Sequence, residues 1–406
     1  MRILQIAPRL CWPLDTGAKL RNYHLARILA KRASVSLLTF ADREQSVSEL
    51  ERFYDQVVTV QHVRGYTFSK LFHGAIGSTP LPVLNYTSVV MKDKLARLLS
   101  EQQFDVVQIE SVHLINYLPV IHAGPNAPLV VCDWHNIESE LMKQYAEREQ
   151  NLFRRTYARR TARLMGNIEH RALNAFDAHI AVSEQDAKRL RSINPRAGVH
   201  VIENGVDTAC YIQSDGASGN QSARNRILFV GSMDYHANID GAVNFARDIW
   251  PQLHARRPQL VFTIVGKDPD PQVRELENVD GVEVTGTVDD VRPFYREAVA
   301  SIVPLRVGGG SRLKILEAMA AGVPVISTGL GAEGLEVKDA ENILIADQPT
   351  EFVEAIASVI ENEDQRRHLI SAGRALVAER YDWEKPGNAL LAIYDSLVEK
   401  RTVAGV

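Results

Sequence analysis

The sequence predicts an α/β protein built from two doubly wound parallel-sheet domains. Three observations lead there. Short strands that are apolar on both faces alternate with helical segments, the pattern of parallel sheets covered on both sides. The alternation runs twice, on either side of a stretch with no apolar periodicity. The chain has 406 residues, more than one hydrophobic core normally serves.

The first domain is expected over residues 1–206. Residues 3–7 form a compact apolar run, and Leu25, Ile28 and Leu29 fall on one helix face. Residues 35–40 and 57–60 read as strands, with a helical stretch at 47–53 between them. Residues 90–99 read as helix, and 106–109 and 129–132 as short buried strands. A long polar helix is predicted over 138–173, then strands at 178–182 and 199–202. Residues 207–225 read as a linker, because Ser214 to Ser222 are turn formers without apolar spacing. The second domain, 226–386, repeats the pattern with strands at 227–230, 261–265, 282–284, 300–303, 323–327 and 343–345. A helical tail covers 350–380 and is interrupted at 382–386. A final helix, 387–406, places Leu390, Ile393, Tyr394 and Leu397 on one face and is expected to pack back on the first domain. Two such domains are expected to face each other across a cleft at the carboxyl ends of their strands.

Composition narrows the function classes. Hydrophobic residues are 45% and charged residues 24% of the chain, ordinary for a globular protein. No window approaches the ~20 apolar residues of a membrane span. The first residues read as a buried strand rather than a signal peptide. Cys11, Cys132 and Cys210 have no metal-ligand spacing, which fits a reducing, cytoplasmic setting. A net charge of −4 gives no basis for nucleic-acid binding.

The most informative segment runs from Arg306 to Ser327. A strand ends at Pro304. Gly308, Gly309 and Gly310 let backbone approach a ligand closely, and Ser311 suits a helix N-cap. A short helix then stops at Gly322, with Pro324 beyond. A helix N-terminus after a Gly-rich turn at a strand's carboxyl end is an anion site. Arg312 and Lys314 in the first helical turn oppose the helix dipole by about 0.3–1 kcal/mol each unless an anion binds there. Glu317 is placed to accept two hydrogen bonds from a vicinal diol such as a ribose; read without a ligand, the three are solvated helix side chains.

This segment resembles the donor-binding signature of the retaining GT-B glycosyltransferases of family four, which include mannosyltransferases and sucrose synthase. The family pattern is Glu, seven residues, then Glu-Ala-Met-Ala-x-Gly-x-Pro-Val-x-x-Ser, and Glu317 to Ser327 match its second half. Val201 to Asp207 and Ile227 to Gly231 resemble the end of the family's first domain and the opening strand of its second. Two departures stand out. The family's first glutamate, which contacts the transferred sugar, is replaced by Gly309. The Arg and Lys that many members carry after the opening strand of the second domain are missing from Ser232 to Asn238. A branch with a Gly-Gly-Ser-Arg-Leu-Lys loop shares both departures, and Arg312 and Lys314 are the natural substitutes for phosphate contact.

The resemblance also assigns residues in the first domain. It implies that the loop carrying Gly17 offers backbone amides to the donor diphosphate and that His135 lies beside the transferred sugar. Glu110 and Asn136, near strand ends, are weaker acceptor-side candidates; Glu110 could instead cap its turn. Arg154, Arg155, Arg159, Arg160 and Arg163 form a basic stripe at helical spacing, read either as a solvated face or as attraction to anionic lipid. Phe153, Tyr157 and Leu164 are read as able to face the core. Asp268-Pro269-Asp270 resembles a metal clamp but sits deep in the second repeat, where a solvated loop is expected, so no metal site and no cofactor are assigned.

The implied reaction moves a sugar, with retention, from a nucleoside diphosphate sugar to a glycan or lipid-linked glycan acceptor in bacterial surface polysaccharide synthesis. The enzyme is expected in the cytoplasm, peripheral on the inner face of the plasma membrane at most. The alternatives are a GT-B epimerase or hydrolase and a non-catalytic sugar-nucleotide-binding protein.

Overall fold

The computed structural model describes residues 1–42, 45–62, 74, 77–124, 126–212, 225–307 and 313–404. Gly308, Gly309, Gly310 and Arg312 lie outside the described residues. The chain divides into two compact units. One comprises Met1–Glu203 with Trp383–Val406, and the other Asn204–Asp382.

The first unit is a 7-stranded sheet in the order β3-β2-β1-β4-β5-β6-β7. Its strands are β1 (Arg2–Ala7), β2 (Ser34–Ala41), β3 (Gln56–Gln61), β4 (Val106–Glu110), β5 (Leu129–Trp134), β6 (Ala178–Ala181) and β7 (Val199–Val201). Every pairing is parallel. The winding reverses between β1 and β4, a switch point where ligands gather outside the strands' carboxyl ends. Helices α1 (Gly17–Leu29), α2 (Val89–Glu101), α3 (Glu138–Arg148), α4 (Leu152–Ala175) and α5 (Glu184–Ile193) cover the sheet.

Two predicted helices take a different form. The single helix expected over 138–173 is α3 and α4, broken where the Asn151 side chain accepts from the amides of Phe153 and Arg154 and starts a new helix. Residues 47–53 form hydrogen-bonded turns rather than a helix.

The second unit begins before the predicted linker does. Residues 208–212 of that stretch form α6 (Thr208–Ile212). A 6-stranded sheet follows in the order β10-β9-β8-β11-β12-β13, again all parallel. Its strands are β8 (Arg226–Val230), β9 (Val261–Val265), β10 (Val282–Gly286), β11 (Ala298–Val303), β12 (Val325–Ser327) and β13 (Leu344–Ile345). The switch point falls between β8 and β11. Helices α7 (His236–Asn244), α8 (Leu313–Ala320), α9 (Pro349–Glu361) and α10 (Glu363–Leu376) pack around it. The predicted helix over 350–380 is broken between α9 and α10, where Asn362 caps the second of them. Gly322 ends the turn after α8 with φ of +70°, a conformation that glycine adopts without a Cβ penalty.

The last helix, α11 (Glu384–Ala404), belongs to the first unit and lies along α1. A Cβ on Gly387 would come within 2.7 Å of Ile28, so glycine lets the two helices approach closely. Trp383 stacks on His24 with ring centroids 5.2 Å apart.

Candidate functional site

In the first unit, the polar residues of the central strands share one face. Register places Gln5 of β1 beside Gln108 of β4, and Glu110 of β4 beside Asp133 of β5. Gln108 and Glu110 are two apart, so their side chains point the same way. These groups are almost completely inaccessible to solvent. A buried polar group without a partner costs roughly 1–3 kcal/mol, and here the partners are present. Arg21 of α1, its side chain 1% exposed, forks onto both oxygens of Asp133 at 2.9 and 3.0 Å, and also donates to the carbonyl of Ile202 at 2.9 Å. Tyr54 donates to Gln5 Oε1 at 2.6 Å, and Tyr394 of α11 donates to Gln108 Oε1 at 2.7 Å.

Glu110 sits at the centre of this layer. Its Oε1 accepts from the amides of Gln108 at 2.5 Å and Gln5 at 3.4 Å. Its Oε2 lies 3.0 Å from His135 Nε2. With the Asn22 amide oriented to satisfy both of its ends, that nitrogen donates to Glu110 Oε2 at 2.9 Å and to Ala18 O at 3.1 Å. Burial pushes the Glu110 carboxyl above its ordinary range, opposed by the hydrogen bond from His135. Glu110 is 1% exposed, and its oxygens are engaged inside the fold. Ser111, directly after it, has φ of 119°, a strained conformation of the kind that clusters at functional sites.

His135 follows β5 directly, and its side chain is 14% exposed. Asn136 is half-buried in the same connection to α3. Glu169 of α4 holds that connection from below, accepting from the Ser139 amide at 2.9 Å and from the Ser139 hydroxyl. Glu138, at the start of α3, is pushed up to about 7 by burial and by the neighbouring Glu169. Gly17 is the first residue of α1, which Thr16 caps by accepting from the Lys19 amide.

Glu110, Asp133 and His135 bring ligating atoms within 4.8 Å of one another. They suit a cation poorly, because Arg21 already holds both Asp133 oxygens with a positive charge. Asp270 of the suspected clamp caps a short helix, accepting from the Gln272 amide at 2.9 Å.

In the second unit, Lys314 lies in the first turn of α8. Its Nζ donates to Asn238 Oδ1 at 2.8 Å and stands 4.4 Å from the centroid of Phe229. A Cβ on Gly231, just past β8, would come within 2.9 Å of Nζ. The ammonium is thus placed at the carboxyl end of the strand beside the switch point. Glu317, one turn further along, receives the Tyr295 hydroxyl at 3.3 Å. Burial raises its carboxyl, while Tyr295 and Lys314 lower it.

Sequence reasoning missed Arg21, Asp133, Gln5, Gln108 and Glu138. The signal was there for three of them: Gln5, Gln108 and Asp133 interrupt strands that are otherwise apolar on both faces. Arg21 looked like any helix cation. On α4, Arg160 donates to the carbonyls of Gly74 and Gly77, whereas Arg154, Arg159 and Arg163 are exposed. Phe153, read from sequence as a possible core residue, is 89% exposed, with Leu152 and Tyr157 exposed beside it; Leu164 is half-buried.

Comparison with known proteins agrees with this architecture. Residues 16–209 match the model of Glycosyltransferase Family 4, and residues 224–362 match that of Glycosyl transferases group 1. A phosphatidyl-myo-inositol mannosyltransferase of Mycobacterium tuberculosis is 27% identical over 206 residues, 48% of this chain and 53% of that protein. A D-inositol 3-phosphate glycosyltransferase of Acidothermus cellulolyticus is 28% identical over 230 residues, 51% of this chain and 50% of that protein. The chain therefore spans about half the length of the curated relatives it matches. Anabaena HepE, crystallised with UDP and glucose, superposes with a TM-score of 0.68 at 17% identity, covering 98% of this chain and 100% of that one. Sucrose-phosphate synthase from Thermosynechococcus elongatus gives 0.72 at 18% identity, with the same coverage. These likenesses establish a shared fold.

Proposed function

We infer that this chain, which belongs to the family-four glycosyltransferases of GT-B fold, transfers a glycosyl group with retention from a nucleoside diphosphate sugar to an acceptor hydroxyl. The observation that carries this reading is Lys314, an ammonium held at the carboxyl end of β8 by Asn238 and Phe229, with Glu317 one turn along the same helix. As the glycosidic bond breaks, negative charge grows on the leaving diphosphate, and a preplaced cation stabilises that charge more than it stabilises the ground state. Arg312 and the backbone of Gly308, Gly309 and Gly310 join Lys314 in this role, and the loop at Gly17 adds backbone amides. Glu317 takes the ribose hydroxyls, and His135 stands beside the transferred sugar, with Asn136 toward the acceptor. The cations replace a metal, so a chelator leaves activity unchanged.

HepE, whose crystals hold UDP and glucose, makes a uridine nucleotide the first donor to try. The acceptor is a glycan or lipid-linked glycan of bacterial surface polysaccharide synthesis, met in the cytoplasm at the inner face of the plasma membrane. Leu152, Phe153 and Tyr157, exposed beside Arg154 and Arg159, suit a headgroup region of anionic lipid. No described helix is long and apolar enough to cross a membrane.

The missing first glutamate at Gly309 favours a second reading, a protein that binds donor without transferring its sugar. A donor panel screened by thermal shift finds the ligand, since binding to the native state raises the melting temperature. Release of nucleoside diphosphate is then followed with and without acceptor lipid extract. Acceptor-dependent release supports transfer, acceptor-independent release indicates a hydrolase, and binding without release indicates the silent binder.

A further inference from the structure

Within the buried layer of the first unit, the side chains of Gln5, Gln108, Asn22 and His135 converge on one carboxylate. We infer that Glu110 is the positioning residue of His135: it fixes which imidazole nitrogen carries the proton and so which one meets the sugar. This rests on the reading of His135 as the residue beside the transferred sugar.

Two tyrosines stand at the outer ends of this hydrogen-bond network. A phenol hydroxyl has a single proton to give. Tyr54 gives its proton to Gln5 Oε1 and Tyr394 gives its proton to Gln108 Oε1. Each bond fixes the orientation of an amide, because an amide oxygen that accepts leaves its nitrogen pointing the other way. Both amide nitrogens then reach Glu110 Oε1. Gln5 Nε2 also reaches Gln108 Oε1 at 3.3 Å, so the two amides lock one another. With Oε1 occupied, Oε2 is left for the Asn22 amide and His135 Nε2.

Three amide donors, from Gln5, Gln108 and Asn22, favour the carboxylate form of Glu110, which therefore faces His135 as an acceptor. Facing an acceptor, His135 Nε2 must carry hydrogen. The neutral ring then has its lone pair on Nδ1, which has no hydrogen-bond partner among the described residues. His135 is thereby set to accept a hydrogen bond from a hydroxyl. Glu169 anchors the far side of the same connection through Ser139, which limits rotation of the ring away from this aim. The cost of building the layer includes the Arg21–Asp133 pair, which supports the end of β5 immediately before His135. The arrangement repeats a general rule of histidine sites, in which the bond made by one ring nitrogen decides the chemistry of the other.

The charged and titratable groups that face His135 are Glu110, Glu138 and His113, with Asp133 and Arg21 behind Glu110. Burial and His135 hold His113 down at about 4, so it adds no positive charge near neutral pH.

The test is Glu110→Gln in the full chain, with all histidines labelled with nitrogen-15 and the His135 resonances assigned by their loss in His135→Gln. An amide at position 110 has one end that accepts and one that donates. The Gln5 and Gln108 nitrogens claim the accepting end, which turns the donating end toward His135. The expected spectrum shows Nε2–H and a bare Nδ1 in the wild type, and the opposite tautomer in Glu110→Gln. Glu110→Asp restores a carboxylate acceptor and is expected to return the wild-type tautomer. Nδ1–H in the wild type, or one tautomer in both wild type and Glu110→Gln, overturns the proposal. If Glu110→Gln does not fold, the wild-type and Glu110→Asp spectra still decide it: both must show Nε2–H. Turnover with the best donor found by thermal shift separates this inference from its premise. His135→Ala and Glu110→Gln should each lose at least 10-fold in kcat, with donor KM within 3-fold. An unaffected His135→Ala removes the sugar-side role of His135 while the tautomer result stands. A silent His135 variant and a silent tautomer readout remove both.

Discussion

The two units hold their chemical groups in opposite ways. In the first, Gln5, Gln108 and Asn22 all give an amide hydrogen to Glu110, and Arg21 and Asp133 are shielded from water together. In the second, Lys314 Nζ meets the Asn238 amide oxygen and the face of Phe229, and Glu317 receives the Tyr295 hydroxyl. The contrast follows from what each has to do. A residue that must present one nitrogen in one direction needs a frame that leaves it no choice. A cation that must follow a diphosphate as the charge moves needs reach and few commitments. Under the proposed function, the first unit spends folding stability on orientation, whereas the second offers Lys314 to the donor diphosphate.

The largest effect that sharpens this contrast is Asp133→Ala. It strands the Arg21 guanidinium in the buried layer, and breaking a buried pair from one side costs roughly 3–5 kcal/mol. Thermal denaturation should show the loss in the unit that contains α1 and β5, while Lys314→Ala, at a half-buried side chain that meets the uncharged Asn238 and Phe229, loses less. Equal losses for the two variants would erase the distinction.

Next comes catalysis. Arg312→Ala and Lys314→Ala should each lower kcat/KM roughly 10- to 100-fold, with part of the loss in kcat, because a charge-assisted bond to the leaving diphosphate contributes ~1.5–3 kcal/mol. Glu317→Ala should instead raise donor KM and leave kcat largely intact, since the ribose does not react. Steady-state kinetics on the three variants reads both outcomes, and wild-type kinetics for both cation variants would move the phosphate site elsewhere.

A smaller effect concerns Glu138. Its carboxyl binds a proton up to about pH 7 in the folded protein, above its ordinary 4.5. Between those values the folded state holds more protons than the unfolded one, so wild-type stability falls as pH rises through this window. Glu138→Gln abolishes the titration. Its unfolding free energy should therefore gain on the wild type between pH 5 and pH 8, by on the order of 1 kcal/mol after allowance for the carboxyl's remaining contact with solvent, and its melting temperature should rise with it. Parallel melting curves across that range would show that Glu138 is solvated like any surface acid.

The smallest effect is at the lipid surface. Phe153→Ser should weaken sedimentation with phosphatidylglycerol vesicles a few-fold, and high salt should weaken it further by screening Arg154 and Arg159. Retention of the variant on neutral vesicles at wild-type levels would remove the aromatic contribution.

Much of the fold was legible because strands apolar on both faces leave few alternatives to a parallel sheet. The breaks were harder to see. Asn151 and Asn362 each restart a helix by accepting from backbone amides, and an asparagine inside a helical pattern reads equally well as a surface residue. Lys314 and Glu317, which come from one motif local in sequence, stand one turn apart on α8, and Gly308 to Arg312 lie outside the described residues. The surroundings of Glu110 were not legible, because its partners come from far along the chain. Gln5, Asn22 and His135 reach it only through strand register and the packing of α1, and Tyr394 joins the layer from α11 through Gln108. A carboxylate at a strand end looks exposed until those pairings are known.

The return of α11 to the first unit also bears on biosynthesis. Val206 and Tyr381 are joined by a backbone hydrogen bond of 2.7 Å, so the second unit leaves the chain and re-enters it at neighbouring points, as an insertion does. On the ribosome, residues 204–382 form an uninterrupted stretch whose partners have all emerged before the last helix is made. The first unit's strands are made earlier, but the unit lacks Tyr394 and the cover over Gln108 until α11 has been translated. Its buried polar layer stays open to water during that interval, so its closure follows the synthesis of the whole second unit.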